Sequence, residues 1–106
     1  MGSPRGDPAL RENPIYPFWG PLRKMYYAYI LKSLKDGRYC YGSTSDLKKR
    51  LKSHNAGKVR STKHRSPWEL HYCEEFASKT EAIQREHFFK SLAGYAWLKN
   101  RGIILT

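Results

Sequence analysis

Glu86 falls one turn past Ala82 and three residues past Ile83, on the apolar side of a helical stretch. A carboxylate there is costly unless something neutralises it. A divalent cation with oxygen ligands would do so, since magnesium commonly takes one carboxylate plus waters and phosphate oxygens. An ion pair with Arg85, Lys90 or Arg50 would do so too. Arg50 follows Leu47 by three residues and sits beside Leu51, turned partly toward the sheet. A guanidinium so placed can grip a phosphate bidentately and stabilise charge in a transition state, or make an ordinary backbone contact. Tyr29 shares a strand face with Tyr27 and Leu31, where most tyrosines pack with a wet hydroxyl. A phenol with a pKa of ~10 is a poor base. It needs a nearby cation before it can help deprotonate a water. His54, seven residues past Leu47, returns to the buried face. Contacting a phosphate, relaying a proton and simple packing are equal readings for it. His64, His71 and His87 show no metal-ligand spacing with one another.

These side chains need strands and helices to bring them together. Tyr26–Leu31 is rich in aromatic and branched residues and reads as a strand. Asp36-Gly37 is a hairpin turn signal, so Tyr39–Tyr41 returns antiparallel to it. Ser45 or Asp46 caps a helix over 46–55, with Leu47 and Leu51 on one face and a stop at Asn55-Ala56-Gly57. Trp68–Cys73 alternates apolar and polar residues and runs on to Phe76 as a third strand. Ser78-Lys79-Thr80-Glu81 resembles a capping box. The helix it opens is expected to reach about Leu92, with Ala82, Ile83, Phe89 and Leu92 as its core stripe. Gly94 is expected to interrupt, and 95–100 to form a further short helix. The order predicts an α+β domain, a three-stranded antiparallel sheet flanked by helices.

Five of the six prolines, with Gly2, Gly6 and Gly20, crowd the first 24 residues, which read as a loose tail. Residues 25–100 form the domain and 101–106 an extension. Met25 directly precedes the first strand-like run and is a candidate natural start, the tail then being an upstream extension. The charges of residues 1–21 cancel, so the net charge of +11 sits on residues 22–106. From Asp46 to Arg65 there are eight Lys/Arg and one acid. Such an excess attracts polyanions, a nucleic-acid backbone being the commonest. Lys48, Lys49, Lys52, Lys58, Arg60, Lys63 and Arg65 are the residues expected to hold it. A membrane is disfavoured as a partner, because no segment approaches a spanning length and the charge is not on one long amphipathic helix. Two cysteines without a signal segment make no disulfide framework, which points to the cytoplasm.

Several segments in order then carry a resemblance. Tyr27–Leu31, Asp36–Thr44, Leu47–Leu51 and His54–Gly57 come first, followed by Pro67–Leu70 and Glu81–Glu86. Together they are similar to the GIY-YIG nuclease superfamily, closest to its small stand-alone bacterial members and related to the N-terminal nuclease domain of the bacterial excinuclease. The resemblance covers roughly 25–92 and implies the same three-stranded fold. It maps the family's first tyrosine onto Tyr29, its helical arginine onto Arg50, a frequent histidine onto His54 and its metal-binding glutamate onto Glu86. It implies magnesium or manganese as cofactor, and DNA, rather than RNA, as the favoured partner, in a repair setting. The sequence departs from the family at Cys40, where a tyrosine is usual, and at Ser43, where some members carry a lysine. A thiol is shorter than a phenol, but its lower free pKa leaves it a possible proton acceptor.

The reading is metal-dependent hydrolysis of nucleic-acid phosphodiesters by Tyr29, Cys40, Arg50, His54 and Glu86. It is expected to be directed by structure, not base sequence, since no recognition domain is appended. Two rivals stand beside it. One is a binding module in which Cys40 has ended catalysis. The other is a protein–protein adaptor using an apolar patch around Tyr95, Trp97 and Ile103–Leu105.

Overall fold

A computed structural model describes residues 24–105. The proline-rich stretch read as a tail lies, apart from Lys24, outside the described residues. The elements run β1 (Tyr26–Ser33), β2 (Tyr39–Thr44), α1 (Leu47–Asn55), a 3-10 turn (Lys63–Arg65), β3 (Trp68–Phe76), α2 (Lys79–Phe89) and α3 (Leu92–Asn100). The sheet is antiparallel with order β2-β1-β3, so β1 is central. The α+β class and three-stranded sheet expected from patterning are what the chain forms.

Alternation along β1 divides the domain into two cores. Tyr29 and Leu31 face one side with Trp68, against Leu47 and Leu51 of α1. Ala28 and Ile30 face the other with Phe89, Leu98 and Ile104, against α2 and α3. The central strand is therefore buried on both faces, which explains its near-continuous apolar run. On β3 an extra residue falls between the Tyr72–Ile30 and Leu70–Leu31 pairs. That residue is His71, and its ring bonds the carbonyl of Ile103.

The C-terminal half differs from expectation. α2 ends at Phe89, and Ser91 starts a new helix by accepting from the Gly94 amide at 3.1 Å. Leu92 is thus in the first turn of α3 and 88% exposed, not part of a core stripe. Gly94 lies inside α3 and does not interrupt it. The reason is contact: a Cβ on Gly94 would overlap the Phe88 carbonyl, 2.6 Å from its carbon and 2.9 Å from Phe89 Cα. Residues 101–105, read as an extension, contribute the buried Ile104 to the core.

Since backbone cannot move aside as a side-chain tip can, Gly94→Ala should destabilise the domain by about 3 kcal/mol. Leu92→Ala should change stability by no more than about 0.5 kcal/mol. Urea unfolding of both variants checks this; equal midpoints would contradict the packing of α3 on the end of α2.

Candidate functional site

Tyr29 points to the α1 side and is only 2% exposed. Its register partner on β2 is Gly42. A Cβ at Gly42 would lie 2.5 Å from the Tyr29 ring carbon Cζ and overlap the hydroxyl. Glycine at 42 is what lets the phenol lie across the edge strand. α1 starts at Asp46, whose carboxylate accepts from the Lys49 amide at 3.0 Å. With Leu47 and Leu51 packed on the sheet, helical spacing carries Arg50 and His54 to the same phenol. Arg50 Nε donates to Tyr29 Oη at 3.1 Å, and His54 Nε2 is 3.4 Å from that oxygen.

The far side of His54 is held by Thr62, with Nδ1 to Oγ1 at 2.8 Å. The Thr62 hydroxyl itself donates to the Val59 carbonyl at 3.4 Å. In the tautomer that matches this bond, Nδ1–H donates to Thr62 and Nε2 accepts from Tyr29. The loop carrying Thr62 is pinned. The Trp68 indole donates to the Thr62 carbonyl at 3.2 Å, and the Asn55 side chain bonds both the amide and the carbonyl of Trp68. Arg65 pairs with Asp36 at 3.0 Å and lies 4.8 Å over the Trp68 ring. The buried Ser33 hydroxyl donates to the Arg65 carbonyl.

Burial pushes the Tyr29 phenol above its ordinary pKa of 10.0, against the lowering effect of the bond and charge from Arg50. Burial, and then the charge of Arg50, hold His54 below its ordinary 6.5. At neutral pH the pair is a protonated phenol facing a neutral imidazole. Burial likewise pushes the Cys40 thiol above its ordinary 9.0, despite Arg65, Lys90 and Arg50 nearby, so it stays protonated at neutral pH. Cys40 pairs with Leu31 across the strands and packs beside the Tyr29–Leu31–Trp68 cluster.

Glu86 reaches β2 from the α2 side. Its Oε1 accepts from Ser43 Oγ at 2.8 Å, and its Oε2 pairs with Lys90 Nζ at 2.9 Å. Ser43 is the next residue after Gly42, and the Glu86 charge is felt at both Tyr29 and Cys40. Of the ion-pair partners open in the sequence, Lys90 is the one formed; Arg85 pairs with Glu74 and Arg50 bonds Tyr29. Among the described residues no cluster of three or more His, Cys, Asp or Glu could hold a metal ion. A single hydroxyl-supported carboxylate fits magnesium or manganese, which keep waters and take phosphate oxygens; it does not fit zinc. The Lys90 side chain is half exposed, so its ammonium is free to turn to solvent.

Lys48, Lys49, Lys52, Lys58, Arg60 and Lys63 are all exposed. Arg65 is different, being held by Asp36 and Trp68. Among the described residues nothing but Tyr29 bonds the Arg50 guanidinium, so its terminal nitrogens stay open to a phosphate. Sequence reasoning missed Thr62, one hydroxyl within a basic loop. It also missed the Ser43–Glu86 bond, which joins residues 43 apart in the chain. Neither has a local signal. Gly42 did have one, as a glycine inside a strand pattern, which marks a close approach.

Residues 25–100 match the GIY-YIG catalytic domain. The chain is 46% identical over 69 residues to a UPF0213 protein of Bacillus licheniformis, covering 64% of this chain and 70% of that one. It is 46% identical over 68 residues to the UPF0213 protein YazA of Bacillus subtilis, covering 63% and 68%. A UPF0213 protein of Halobacterium salinarum is 39% identical over 70 residues, covering 65% of this chain and 90% of the relative. The solution NMR structure of the UPF0213 protein BH0048 from Bacillus halodurans matches at 35% identity and a TM-score of 0.44, covering 73% and 84%. A GIY-YIG domain is of nuclease type and implies in general a nucleic-acid substrate and a divalent metal. Through that match over most of its length, the chain belongs to the GIY-YIG family, alongside the small UPF0213 proteins it resembles.

Proposed function

We propose that this protein is a metal-dependent endonuclease that hydrolyses nucleic-acid phosphodiesters, directed by the structure of its substrate, with DNA favoured over RNA. The observation that supports this most is the hydrogen-bonded series Arg50–Tyr29–His54–Thr62, with Glu86 of α2 bonded to Ser43, one residue along β2 from the glycine that seats the phenol. The exposed lysines of α1 and the following loop hold the backbone. The open nitrogens of Arg50 grip the scissile phosphate and stabilise its developing charge. As water attacks phosphorus, its proton passes to Tyr29 Oη while the phenol's own proton passes to His54 Nε2. Tyr29 leaves the step as a phenol and His54 as an imidazolium, its Nδ1–H still donating to Thr62. The leaving oxygen takes its proton from solvent.

Glu86, steadied by Ser43, is the residue to hold the cation, which when bound supplies charge stabilisation to the phosphate oxygens. Cys40 has no place in this relay, because its thiol stays protonated. Its occupation of a position where a tyrosine is usual therefore leaves the route from water to His54 intact.

The test is cleavage of labelled branched and linear DNA, and of RNA, with and without magnesium. Wild type, Arg50→Ala and Cys40→Tyr are run together. Magnesium-dependent cutting by wild type is expected, slower by on the order of 10²-fold in Arg50→Ala. Binding without cutting in wild type, with activity appearing only in Cys40→Tyr, would replace the nuclease reading by that of a binding module. No binding and no cutting would leave the adaptor.

A further inference from the structure

A cleft of about 340 Å³ opens at the end of the sheet, where β1 begins, β2 ends and α2 begins. Lys24, Tyr26, Ser43, Thr44, Ser45, Lys79 and Ala82 line it. Ser43 is shared: its hydroxyl bonds Glu86 at 2.8 Å while its residue forms part of the cleft wall. Through Ser43 the cleft borders the carboxylate proposed to hold the cation. It is also separate from the lysines of α1 and the loop after it, none of which line it.

The lining has the chemistry of a phosphate receiver. Lys24 and Lys79 bring two positive charges, and among the described residues neither is in an ion pair. Lys24 lies 5.8 Å over the Tyr26 ring, too loose a contact to neutralise it. Thr44 is occupied, its hydroxyl bonding the Asp46 amide and carbonyl. Ser45 is exposed beside it. The wall on the far side is the first turn of α2, whose cap Ser78 already satisfies the Glu81 amide. The Lys79 amide precedes the first intrahelical bonds and faces the same end of the helix, which adds a small positive potential to the two ammonium groups. Among the described residues no carboxylate lines the cleft.

We propose that this cleft takes a backbone phosphate of the nucleic-acid strand next to the scissile one, with Lys24 and Lys79 as its ligands. The inference rests on the nuclease reading and adds to it. It gives the strand a second point of hold on the opposite side of Glu86 from the α1 lysines, so that the scissile phosphate is held from both sides. The Tyr26 ring offers a flat face to a sugar or base at that position.

The test titrates the intact chain with a short thymidine oligonucleotide, following backbone amide resonances and measuring affinity against salt. Amide shifts at Ser45, Lys79 and Thr80 are expected. In Lys24→Gln/Lys79→Gln the slope of log affinity against log salt should flatten by roughly 0.7, the value for one phosphate no longer neutralised. Lys99→Gln, at an exposed position of α3, should leave the slope where it is. A wild-type protein that binds with unchanged slope in the double variant, and with no shifts at those amides, overturns the cleft while leaving the nuclease reading standing. A wild-type protein that does not bind the oligonucleotide at all overturns both. Thymidine monophosphate is the remaining arm. Binding as tight as the oligonucleotide's would make the cleft a free-nucleotide site and overturn the assignment to a strand.

Discussion

Glu86→Gln should lower magnesium-dependent cleavage by on the order of 10³-fold, matching the several kcal/mol a metal contributes to transition-state charge. Glutamine is the informative replacement because its amide oxygen can still accept from Ser43, so the link from α2 to β2 survives. What it loses is the charge. The ion pair with Lys90 also goes, but that i,i+4 pair has a half-exposed lysine and contributes only about 0.3–0.5 kcal/mol. The variant should therefore fold as wild type and bind oligonucleotide at least as well, having one negative charge fewer near the phosphate. A second readout separates metal binding from catalysis. Manganese should broaden the amide resonances of Ser43 and Glu86 in wild type and leave them sharp in the glutamine variant. Unchanged cleavage, or equal broadening in both proteins, would remove Glu86 as the cation's ligand and with it the mechanism proposed above.

The parts of this molecule that could be read from sequence are those with local causes. Asp36-Gly37 between two aromatic runs announces the hairpin, and Asp46 before Leu47 and Leu51 announces α1 with its buried face. His54 could be placed on that face by spacing alone, and it is 1% exposed. The end of α2 could not be read in the same way. A helical pattern running through Leu92 looks continuous until Ser91 recaps the chain, and that depends on a contact between Gly94 and the Phe88 carbonyl. The site's supports are invisible for a related reason. Thr62 meets His54, and Ser43 meets Glu86, only because a sheet and two helices have already formed. Their side chains are small and polar, and in sequence they are indistinguishable from ordinary loop and strand-end residues. Arg65 shows the converse. It belongs to the densest basic run, yet Asp36 and Trp68 hold it, so it fastens the loop beneath His54.

That fastening matters for the other large expected effect. Tyr29→Phe should slow cleavage by roughly 10²–10⁴-fold, with substrate binding within about twofold of wild type, the phenol lying outside the basic surface that holds the backbone. The ring itself is retained, so the buried face against Gly42, Leu31 and Trp68 persists. One oxygen is lost, and with it the bond from Arg50 and the bond to His54 Nε2. Arg50 can turn to solvent, but Nε2 is buried and left without its donor, which costs about 1 kcal/mol of stability. The pH profile tells whether the oxygen relays a proton or merely packs. His54 is held below its ordinary 6.5, so the native state favours the neutral ring. Its contribution to stability is present above the unfolded value and is lost as pH falls through the folded one. Activity in wild type should fall in that same window, because a protonated His54 can no longer accept from Tyr29. Circular dichroism at each pH separates that loss from unfolding. In Tyr29→Phe the residual activity should lack this acid limb, since no proton reaches His54 through the phenol. If the variant keeps the wild-type rate, or keeps the acid limb unchanged at a lower rate, the phenol is a packing residue and the relay does not exist.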